Sequence, residues 1–420
     1  MLTMRQKKAV TRELRDRYSK SSKKEKIIML DEFIRLTRYS RSYAARVLRL
    51  KEVLGYMQIG GKRVRLVRDK RKTKRKEKKI YDEGVLVSLK EIWKICDYIC
   101  SKRLAPYFKE IIPVLERWRE IKLDAKVREK LLKISAATID RLLTDTRKRF
   151  RIKGRSTTRP GSLLKKSIPI RTFADWDEKV LGFFEVDLVS HDGGAARGDF
   201  NQSLNFTDIA TGWEEMVAVK NKAQVWVFAG IKEIEERLPF SILGIDSDNG
   251  AEFISAQLLR YCEQNQITFT RSRPYRKNDS CFVEQKNYSV IRRAVGYGRY
   301  DTAEELTLLN KLYGYLRLYV NFFQPVRKLI KKEKIGSKII KKYDEAKTPY
   351  RRVLTSPNIK KEEIKMKLKN KYDSLNPAEL KRKITKLQNR LLKLNALKQE
   401  VRENLDKSAK PLSRFEYIST

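Results

Sequence analysis

Apolar positions in the first 150 residues recur at spacings of three and four, a pattern that predicts helices. One helix is predicted over 23–36, and after a three-residue break Ser40 is a candidate N-cap for a second, short helix. That second helix places Arg41 and Arg46 on its outer face. Two short helices of this kind, the second one basic, are typical of a helix-turn-helix DNA-binding unit, although an ordinary helical hairpin has the same pattern.

A second candidate helix-turn-helix spans 127–149, with Ser135 as the N-cap of its second helix. Pro106 is expected in the first turn of a preceding helix over 107–118. The outer side of the second unit offers three cations to DNA, namely Arg141, Arg147 and Lys148.

The pattern of apolar and polar residues changes after residue 172, where short apolar runs alternate with helical segments. Strands are predicted over 181–189, 203–209, 213–220, 241–246 and 267–271, with helices over 223–237, 252–264 and 282–295. Three strands, then helix, strand, helix, strand and helix indicate an α/β domain with a mixed five-stranded sheet and flanking helices.

The predicted organisation is a helical front half, an α/β core and a basic helical end. Its segments are a helix-turn-helix region over 1–59, a basic linker over 60–82, a helical region over 83–150, a linker over 151–172, the core over 173–345 and a C-terminal region over 346–420. A C-terminal helix over 377–397 has leucines at three- and four-residue spacings, so it either pairs between subunits or packs on the core.

The distribution of charged residues along the chain supports this division into segments. The chain has a formal net charge of +44, which points to a polyanionic partner such as DNA. Residues 173–300 nevertheless carry 15 lysines and arginines against 19 acids, whereas the other residues carry 81 against 33. An acidic region in so basic a chain suggests a cation-binding site flanked by phosphate-binding segments.

Other classes of protein are disfavoured. No run of about 18 apolar residues exists, so no membrane span is expected, and the N-terminus lacks the apolar region of a secretory signal. Four dispersed cysteines suit a reducing compartment. His191 is the single histidine, which argues against a Cys2His2 zinc site and a Ser-His-Asp hydrolase; it is interpreted as a surface residue in a loop near the site.

Three carboxylates stand in positions that suggest metal binding. Asp187 lies within an apolar strand, where an isolated charge would be costly. Asp248 begins an Asp-Asn-Gly turn after another buried strand, and Glu284 is near a helix start. Glu185 and Asp246, each two residues earlier on the same strand face, are competing acids. Carboxylates on three rigid elements could hold two divalent ions roughly 3.5–4 Å apart, which suits phosphodiester chemistry.

These segments resemble the integrase and transposase superfamily, whose DDE triad lies on an RNase H-like fold. Asp187 matches the first Asp, the Asp-Asn-Gly-x-Glu-Phe segment at 248–253 matches the second, and 282–287 with the preceding 273–275 matches the segment that carries Glu284. The 35 residues between the second and third carboxylates are typical of this group. The glycine that commonly precedes the third carboxylate is replaced, and the zinc-binding domain of retroviral integrases is absent.

The resemblance implies a transposase or integrase that exposes 3′-hydroxyls at element ends and joins them to target DNA. It implies two Mg²⁺ (or Mn²⁺) ions held by Asp187, Asp248 and Glu284. Lys286 and Asn287 lie one turn or less from Glu284, so they are candidates for contacts to the DNA end, although a solvated helix face has the same pattern. The expected partners are double-stranded DNA (terminal repeats and target) and further copies of the chain, in a bacterial cytoplasm at the nucleoid. Two alternatives remain: an RNase H-like nuclease without strand transfer, and an inactive DNA-binding regulator.

Overall fold

The computed structural model divides the chain into two compact units, Met1–Lys79 and Ile80–Thr420. It describes residues 2–49, 53–60, 62–67, 80–148, 180–248, 250, 252–253, 255–271, 281–335, 338–359 and 361–408. The predicted linker over 151–172, the whole segment 273–280 and Asn249 of the predicted turn lie outside these residues.

The first unit begins with three helices, α1 (Met4–Lys20), α2 (Lys23–Thr37) and α3 (Arg41–Arg49). Phe33 is fully buried in their common core, and Ala44 and Leu48 pack there from α3. Ser40 accepts from the backbone N–H of Tyr43, as predicted for an N-cap. The pair of helices predicted here is therefore confirmed.

A β-hairpin follows these helices, formed by β1 (Val53–Ile59) and β2 (Lys62–Val67) in antiparallel register. The sequence pattern predicted a linker from residue 60, so the structure differs from it at this point. Three of the six residues of β2 are lysine or arginine, and the basic stretch that continues after the strand led to the prediction of a linker.

The second unit contains the remaining elements. They are α4 (Glu83–Ile95), α5 (Ser101–Arg117), α6 (Ala125–Lys133), α7 (Ala136–Leu142), α8 (Thr144–Lys148), β3 (Phe183–Ser190), β4 (Gln202–Asp208), β5 (Glu214–Val219), α9 (Gln224–Arg237), β6 (Gly244–Ser247), α10 (Ala256–Gln264), β7 (Thr268–Arg271), α11 (Cys281–Lys286), a π-helical segment (Asn287–Arg292), α12 (Arg293–Val295), α13 (Ala303–Phe323), β8 (Leu329–Ile335), β9 (Lys338–Tyr343), α14 (Pro349–Thr355), α15 (Glu362–Ser374) and α16 (Pro377–Ser408). Pro106, expected in a first turn, instead lies inside α5.

Five of these strands form one mixed sheet in the order β5-β4-β3-β6-β7. Strands β3, β4 and β5 are antiparallel neighbours, whereas β6 runs parallel to β3 and β7 runs parallel to β6. Helices flank this sheet, helices precede it, and a helical region follows it. The predicted α/β fold with an RNase H-like mixed sheet is confirmed.

The two faces of the sheet pack on different helices. Val186 and its neighbours on β4 and β5 pack against α9 and α10, in one cluster of buried side chains. Met216 and Ala218 point to the opposite face and join the cluster that contains α13. Successive residues of a strand alternate between faces, so Asp187 lies on the side of α11 and α13.

The helices before the sheet share the core of the unit rather than forming one of their own. Apolar residues of α4 to α7 belong to the same buried cluster as α13 and α16. The hydroxyl of Tyr319 on α13 donates to the Ile95 carbonyl, and the Gln324 amide donates to the Cys96 carbonyl at 3.1 Å. The predicted region 83–150 and the predicted core are therefore packed as one body.

Helix α16 lies along α13. Ile384 and Leu391 are buried there, and the Lys398 ammonium lies 2.6 Å from Glu305 and 3.0 Å from Asp301. Of the two interpretations of this C-terminal helix, the structure supports packing on the core. Among the described helices none combines the length and the apolar character needed to span a membrane.

Candidate active site

Asp187 is the centre of the candidate site. It lies half-buried in the second half of β3, and its Oδ1 accepts from the Leu188 backbone N–H at 2.8 Å. Its Oδ2 accepts from the Asn287 side-chain amide at 2.6 Å, across the gap between the sheet and the helical segment above it. Both carboxylate oxygens are therefore held in one orientation.

Asp248 follows β6 directly and is held by a turn. Its Oδ1 accepts from the Gly250 backbone N–H at 2.8 Å. A Cβ at Gly250 would lie only 2.8 Å from that oxygen and 2.7 Å from Oε1 of Glu252. A side chain at this position would therefore have to displace the carboxylates of Asp248 and Glu252.

Glu284 lies exposed in the first turn of α11, where the helix dipole favours a negative charge. The start of this helix is fixed from below by Glu185, which is buried in β3. Its Oε2 accepts from the backbone N–H groups of Phe282 and Val283, at 2.8 and 2.9 Å. Glu185 therefore connects the strand of Asp187 to the helix of Glu284.

The electrostatics of Asp187 link the three predicted carboxylates. Burial raises the pKa of Asp187 to about 8, and the negative charges of Asp248 and Glu284 add to this rise. The hydrogen bonds from Leu188 and Asn287 favour the ionised form and oppose the rise only in part. Residues from β3, the end of β6 and α11 thus act on one another through space.

Glu252 is an acid that the sequence pattern did not single out. Burial raises its pKa, and the charge of Asp248 raises it further. In the sequence Glu252 is simply the Glu of the Asp-Asn-Gly-x-Glu-Phe segment. Nothing in that pattern indicates that its carboxylate lies close to Asp248. It adds negative charge to the same side of the site.

The carboxylates are near one another without forming a closed metal cage. Within the ranges that the structure describes, no three His, Cys, Asp or Glu side chains are grouped closely enough to hold a metal ion by themselves. Their donor atoms are all oxygens, which suit a hard divalent cation such as Mg²⁺. The pKa of Asp187 is raised first by burial and then by the charges of Asp248 and Glu284, and such a cation would favour its ionised form.

The competing acid Asp246 has a different environment. It is buried inside β6, in register with Glu185, and its Oδ1 accepts from the Thr270 hydroxyl at 2.7 Å. Asp246 and Glu185 therefore form a buried layer beneath Asp187 and Asp248, on the same face of the sheet.

Asn287, a candidate for a DNA contact, is half-buried and contacts protein groups. Besides donating to Asp187, its Oδ1 accepts from the Asn205 amide at 2.8 Å. Asn205 lies opposite Asp187 in the β3–β4 register, so the two asparagines complete a short polar chain around that carboxylate.

Lys286, also predicted to contact DNA, is buried. Its Nζ lies 3.1 Å from Oε2 of Glu214 on β5 and donates to the Gly212 carbonyl at 3.2 Å. Glu214 is fully buried, and burial raises its pKa although the Lys286 charge lowers it. Lys286 thus fixes α11 to the far strands of the sheet, which corrects its predicted role.

We expect Lys286→Met to lower the free energy of unfolding by about 3 kcal/mol, because Glu214 would lose the partner of a buried charge. Urea unfolding measures this loss, and the double variant Lys286→Met/Glu214→Gln should recover most of it. The salt dependence of DNA binding should stay as in the wild type. A reduced salt dependence with normal stability would restore the predicted DNA contact.

The other predicted DNA contacts lie on helices of both units. Arg41 and Arg46 of α3 are exposed; Arg41 pairs with Asp31, and Arg46 lies 5.1 Å from the centre of the Tyr43 ring. In the second unit Arg141 is exposed and donates to the Thr138 hydroxyl at 3.1 Å.

Arg147 differs from these exposed cations. It is half-buried, pairs with Asp140 and lies 5.4 Å from the centre of the Trp93 ring. This packing leaves it less available to a ligand. Lys148 ends α8, and its side chain lies outside the described residues.

His191 is buried, so its interpretation as a surface residue is wrong. Its Nε2 lies 2.6 Å from the Ser203 hydroxyl, which in turn lies 2.5 Å from the hydroxyl of Tyr313. Burial lowers the pKa of His191 to about 3, so the ring is neutral near pH 7. Its partners are far away in the sequence, and no local pattern could have revealed them.

The structure thus combines a mixed five-stranded sheet with acids on β3, directly after β6 and on α11. No family model matches the chain. The uncharacterized protein y4rM of Sinorhizobium fredii (strain NBRC 101917 / NGR234) is 39% identical over 328 residues, which are 78% of this chain and 89% of that protein. The chain belongs to the same family as y4rM.

Among solved structures, the catalytic core domain of BIV integrase matches with a TM-score of 0.27 and 17% identity. The match covers 40% of this chain and 91% of that chain. Because both values are low, the fold assignment depends on the strand order and strand directions of the sheet.

Proposed function

We propose that the chain is a DDE-type transposase or integrase, which cleaves DNA at the 3′ ends of a mobile element and joins those ends to target DNA. The observation that carries this proposal is the mutual influence of Asp187, Asp248 and Glu284, which come from three different elements. Such a site suits phosphoryl transfer, in which positioning and charge stabilisation account for most of the catalysis.

Asp187, Asp248 and Glu284 would hold two Mg²⁺ (or Mn²⁺) ions in each site. When bound, the ions supply an activated oxygen nucleophile and stabilise charge on the leaving oxygen. The charges of Asp248 and Glu284 help to raise the pKa of Asp187, and a divalent cation bound among these carboxylates would replace that repulsion with attraction.

The chain's own groups keep the site in place. Asn287 holds Oδ2 of Asp187, the Gly250 N–H holds Oδ1 of Asp248, and Glu185 holds the start of the helix that carries Glu284. The carboxylates of Asp187 and Asp248 and the helix that carries Glu284 are thus held in place before DNA arrives, which reduces the reorganisation needed during the reaction.

Double-stranded DNA is the proposed partner, as terminal repeats and as target. The net charge of +44 favours it, and Arg41, Arg46 and Arg141 offer exposed guanidinium groups. We further propose that the chain acts as a homo-oligomer on DNA, because two element ends have to be joined to one target in a coordinated way.

The test uses the purified full chain and labelled duplexes that carry the terminal repeats of the element. With Mg²⁺ or Mn²⁺ we expect new 3′-hydroxyl ends and then products in which labelled ends are joined to target DNA. A chelator should abolish both reactions. Cleavage without joined products would identify a nuclease, and DNA binding without cleavage would identify a regulator.

A further inference from the structure

Strands β8 and β9 form a two-stranded antiparallel sheet of their own, here named the basic ribbon (residues 329–343). It contains six lysines and one glutamate. Lysine is depleted in strands, so a lysine-rich ribbon is unusual for its composition. The sequence pattern did not predict strands here.

Like charges face each other within the ribbon. Lys331 is the register partner of Lys342, and Lys332 is the partner of Lys341. Like charges directly opposite one another destabilise a strand pair. Lys331, Lys341 and Lys342 are exposed, and Glu333, the single acid of the ribbon, pairs with Lys331. A bound polyanion would relieve this repulsion, and it would do so at both strands.

Apolar side chains are exposed between these lysines. Ile330 is 62% exposed and Leu329 47%, while Ile340 and Tyr343 are exposed on the other strand. A mixed surface of cations and apolar groups fits a ligand with phosphates beside sugars and thymine methyl groups.

The base of the ribbon is firmly attached. The Lys328 N–H donates to Oδ1 of Asp344 at 2.6 Å, and the Asp344 N–H donates back to the Lys328 carbonyl at 2.9 Å. Asp344 also pairs with Arg352 at 2.7 Å, and Nζ of Lys328 donates to the Ala210 carbonyl in the β4–β5 turn at 2.7 Å. The ribbon is therefore fixed to the sheet.

This attachment lies away from the carboxylates. The β4–β5 turn begins after Asp208, which pairs with Phe184, three residues before Asp187 on β3. Three residues of a strand correspond to about 10 Å. A ligand on the ribbon would thus be held beside the active site rather than in it.

We propose that the basic ribbon binds duplex DNA, with its lysines on the phosphates and a strand pair entering or lying along the major groove. A two-stranded ribbon fits the width of that groove. The inference rests on the proposed function, since DNA is the substrate there. It adds a contact surface that is separate from the carboxylates and from the predicted helix-turn-helix units.

The test compares two triple variants of the full chain. The ribbon variant is Lys331→Gln/Lys341→Gln/Lys342→Gln, and the matched control is Lys367→Gln/Lys369→Gln/Lys371→Gln on exposed positions of α15. Binding of a random-sequence duplex is measured by fluorescence anisotropy over a range of salt concentrations, with a chelator present so that no cleavage occurs.

The ribbon variant should bind about ten- to a hundredfold more weakly near physiological salt, and the slope of log affinity against log salt should decrease by about three. The control should keep the wild-type slope. If the triple variant folds poorly, the three single Lys→Gln variants are measured in its place. Each should lower the slope by about one.

A wild-type slope in the ribbon variant would overturn the inference. If the ribbon variant keeps the wild-type slope but binds anionic lipid vesicles less well than the wild type, a membrane surface is the partner and the inference is overturned. Because DNA binding is measured without metal, failure of this inference can be distinguished from failure of the proposed function. A chain whose ribbon binds DNA but which never cleaves fails only in the proposed function.

Discussion

Replacing Asp187 with asparagine is expected to abolish DNA cleavage and joining while making the metal-free protein more stable. The loss of activity should be at least about a thousandfold, because one of the three carboxylates that would hold the proposed ions is removed. The gain in stability should be about 2 kcal/mol at pH 8, since asparagine carries no charge to repel Asp248 and Glu284. A purely structural residue would lose stability and activity together.

The gain should depend on pH in a defined direction. In the folded chain Asp187 keeps its proton up to about pH 8, whereas in the unfolded chain it ionises near pH 4. Between these values the unfolded state binds fewer protons, so the stability of the wild type falls as the pH rises. The Asp187→Asn variant lacks this loss, and the difference between the two proteins should grow from pH 4 to pH 8.

Urea unfolding in the presence of a chelator measures this difference across the pH range. Adding Mg²⁺ at pH 8 should raise the unfolding midpoint of the wild type and leave that of the variant nearly unchanged. Asp373→Asn, an exposed substitution on α15, is the matched control and should behave as the wild type. Asp248→Asn should likewise keep DNA binding and lose cleavage and joining; normal cutting by either site variant would refute the assignment.

The second large effect is expected at Glu185, which we regard as a positioning residue for Glu284. Glu185→Ala removes the acceptor of two backbone N–H groups at the start of α11. We expect the rate of cleavage to fall about a hundredfold and the protein to lose roughly 2–4 kcal/mol of stability. Glu185→Gln keeps an acceptor oxygen and should recover part of both.

A structural role alone would not change how the enzyme uses metal. In Glu185→Ala, Glu284 is displaced, so the Mg²⁺ concentration that gives half-maximal activity should rise. Activity is titrated with Mg²⁺ at a temperature where the variant is fully folded. Glu304→Ala, an exposed acid in the first turn of α13, is the control. An unchanged Mg²⁺ requirement in Glu185→Ala would limit Glu185 to stabilising the fold.

The sheet could be predicted from the sequence because its strands are short apolar runs between turns. Residues 181–189 predicted β3 to within a few residues, and the position of Asp187 in that run predicted a buried carboxylate. Local cues were equally reliable at Ser40 and Ser135, which accept the hydrogen bonds expected of N-caps.

Lysine-rich strands could not be predicted. In β8 and β9 the lysines occupy both faces, so no alternation of apolar and polar residues marks a strand. This hairpin forms through pairing between neighbouring strands, which the propensity of single residues does not capture.

Long-range partners were hidden for a different reason. Asn287 contacts Asp187 across 100 residues, and Lys286 contacts Glu214 across 72. On the sequence both are polar residues one turn from Glu284, where exposure to DNA and burial against the sheet cannot be distinguished. The fold distinguishes these two environments, and it places Lys286 and Asn287 against β-strands of the sheet.

The π-helical segment Asn287–Arg292 has a consequence for how this region tolerates change. A π turn accommodates one residue more than an α turn, and such bulges are frequent at functional sites. Asn287 at its start faces Asp187, whereas Ile291 and Val295 beyond its first turn are buried in the core. Because the π turn absorbs this extra residue, deleting it would leave a regular α-helix whose two ends keep their faces, whereas inserting a further residue would turn everything beyond it by about 100°. This stretch should therefore tolerate the loss of one residue better than the gain of one, provided that Asn287 and the apolar positions are kept.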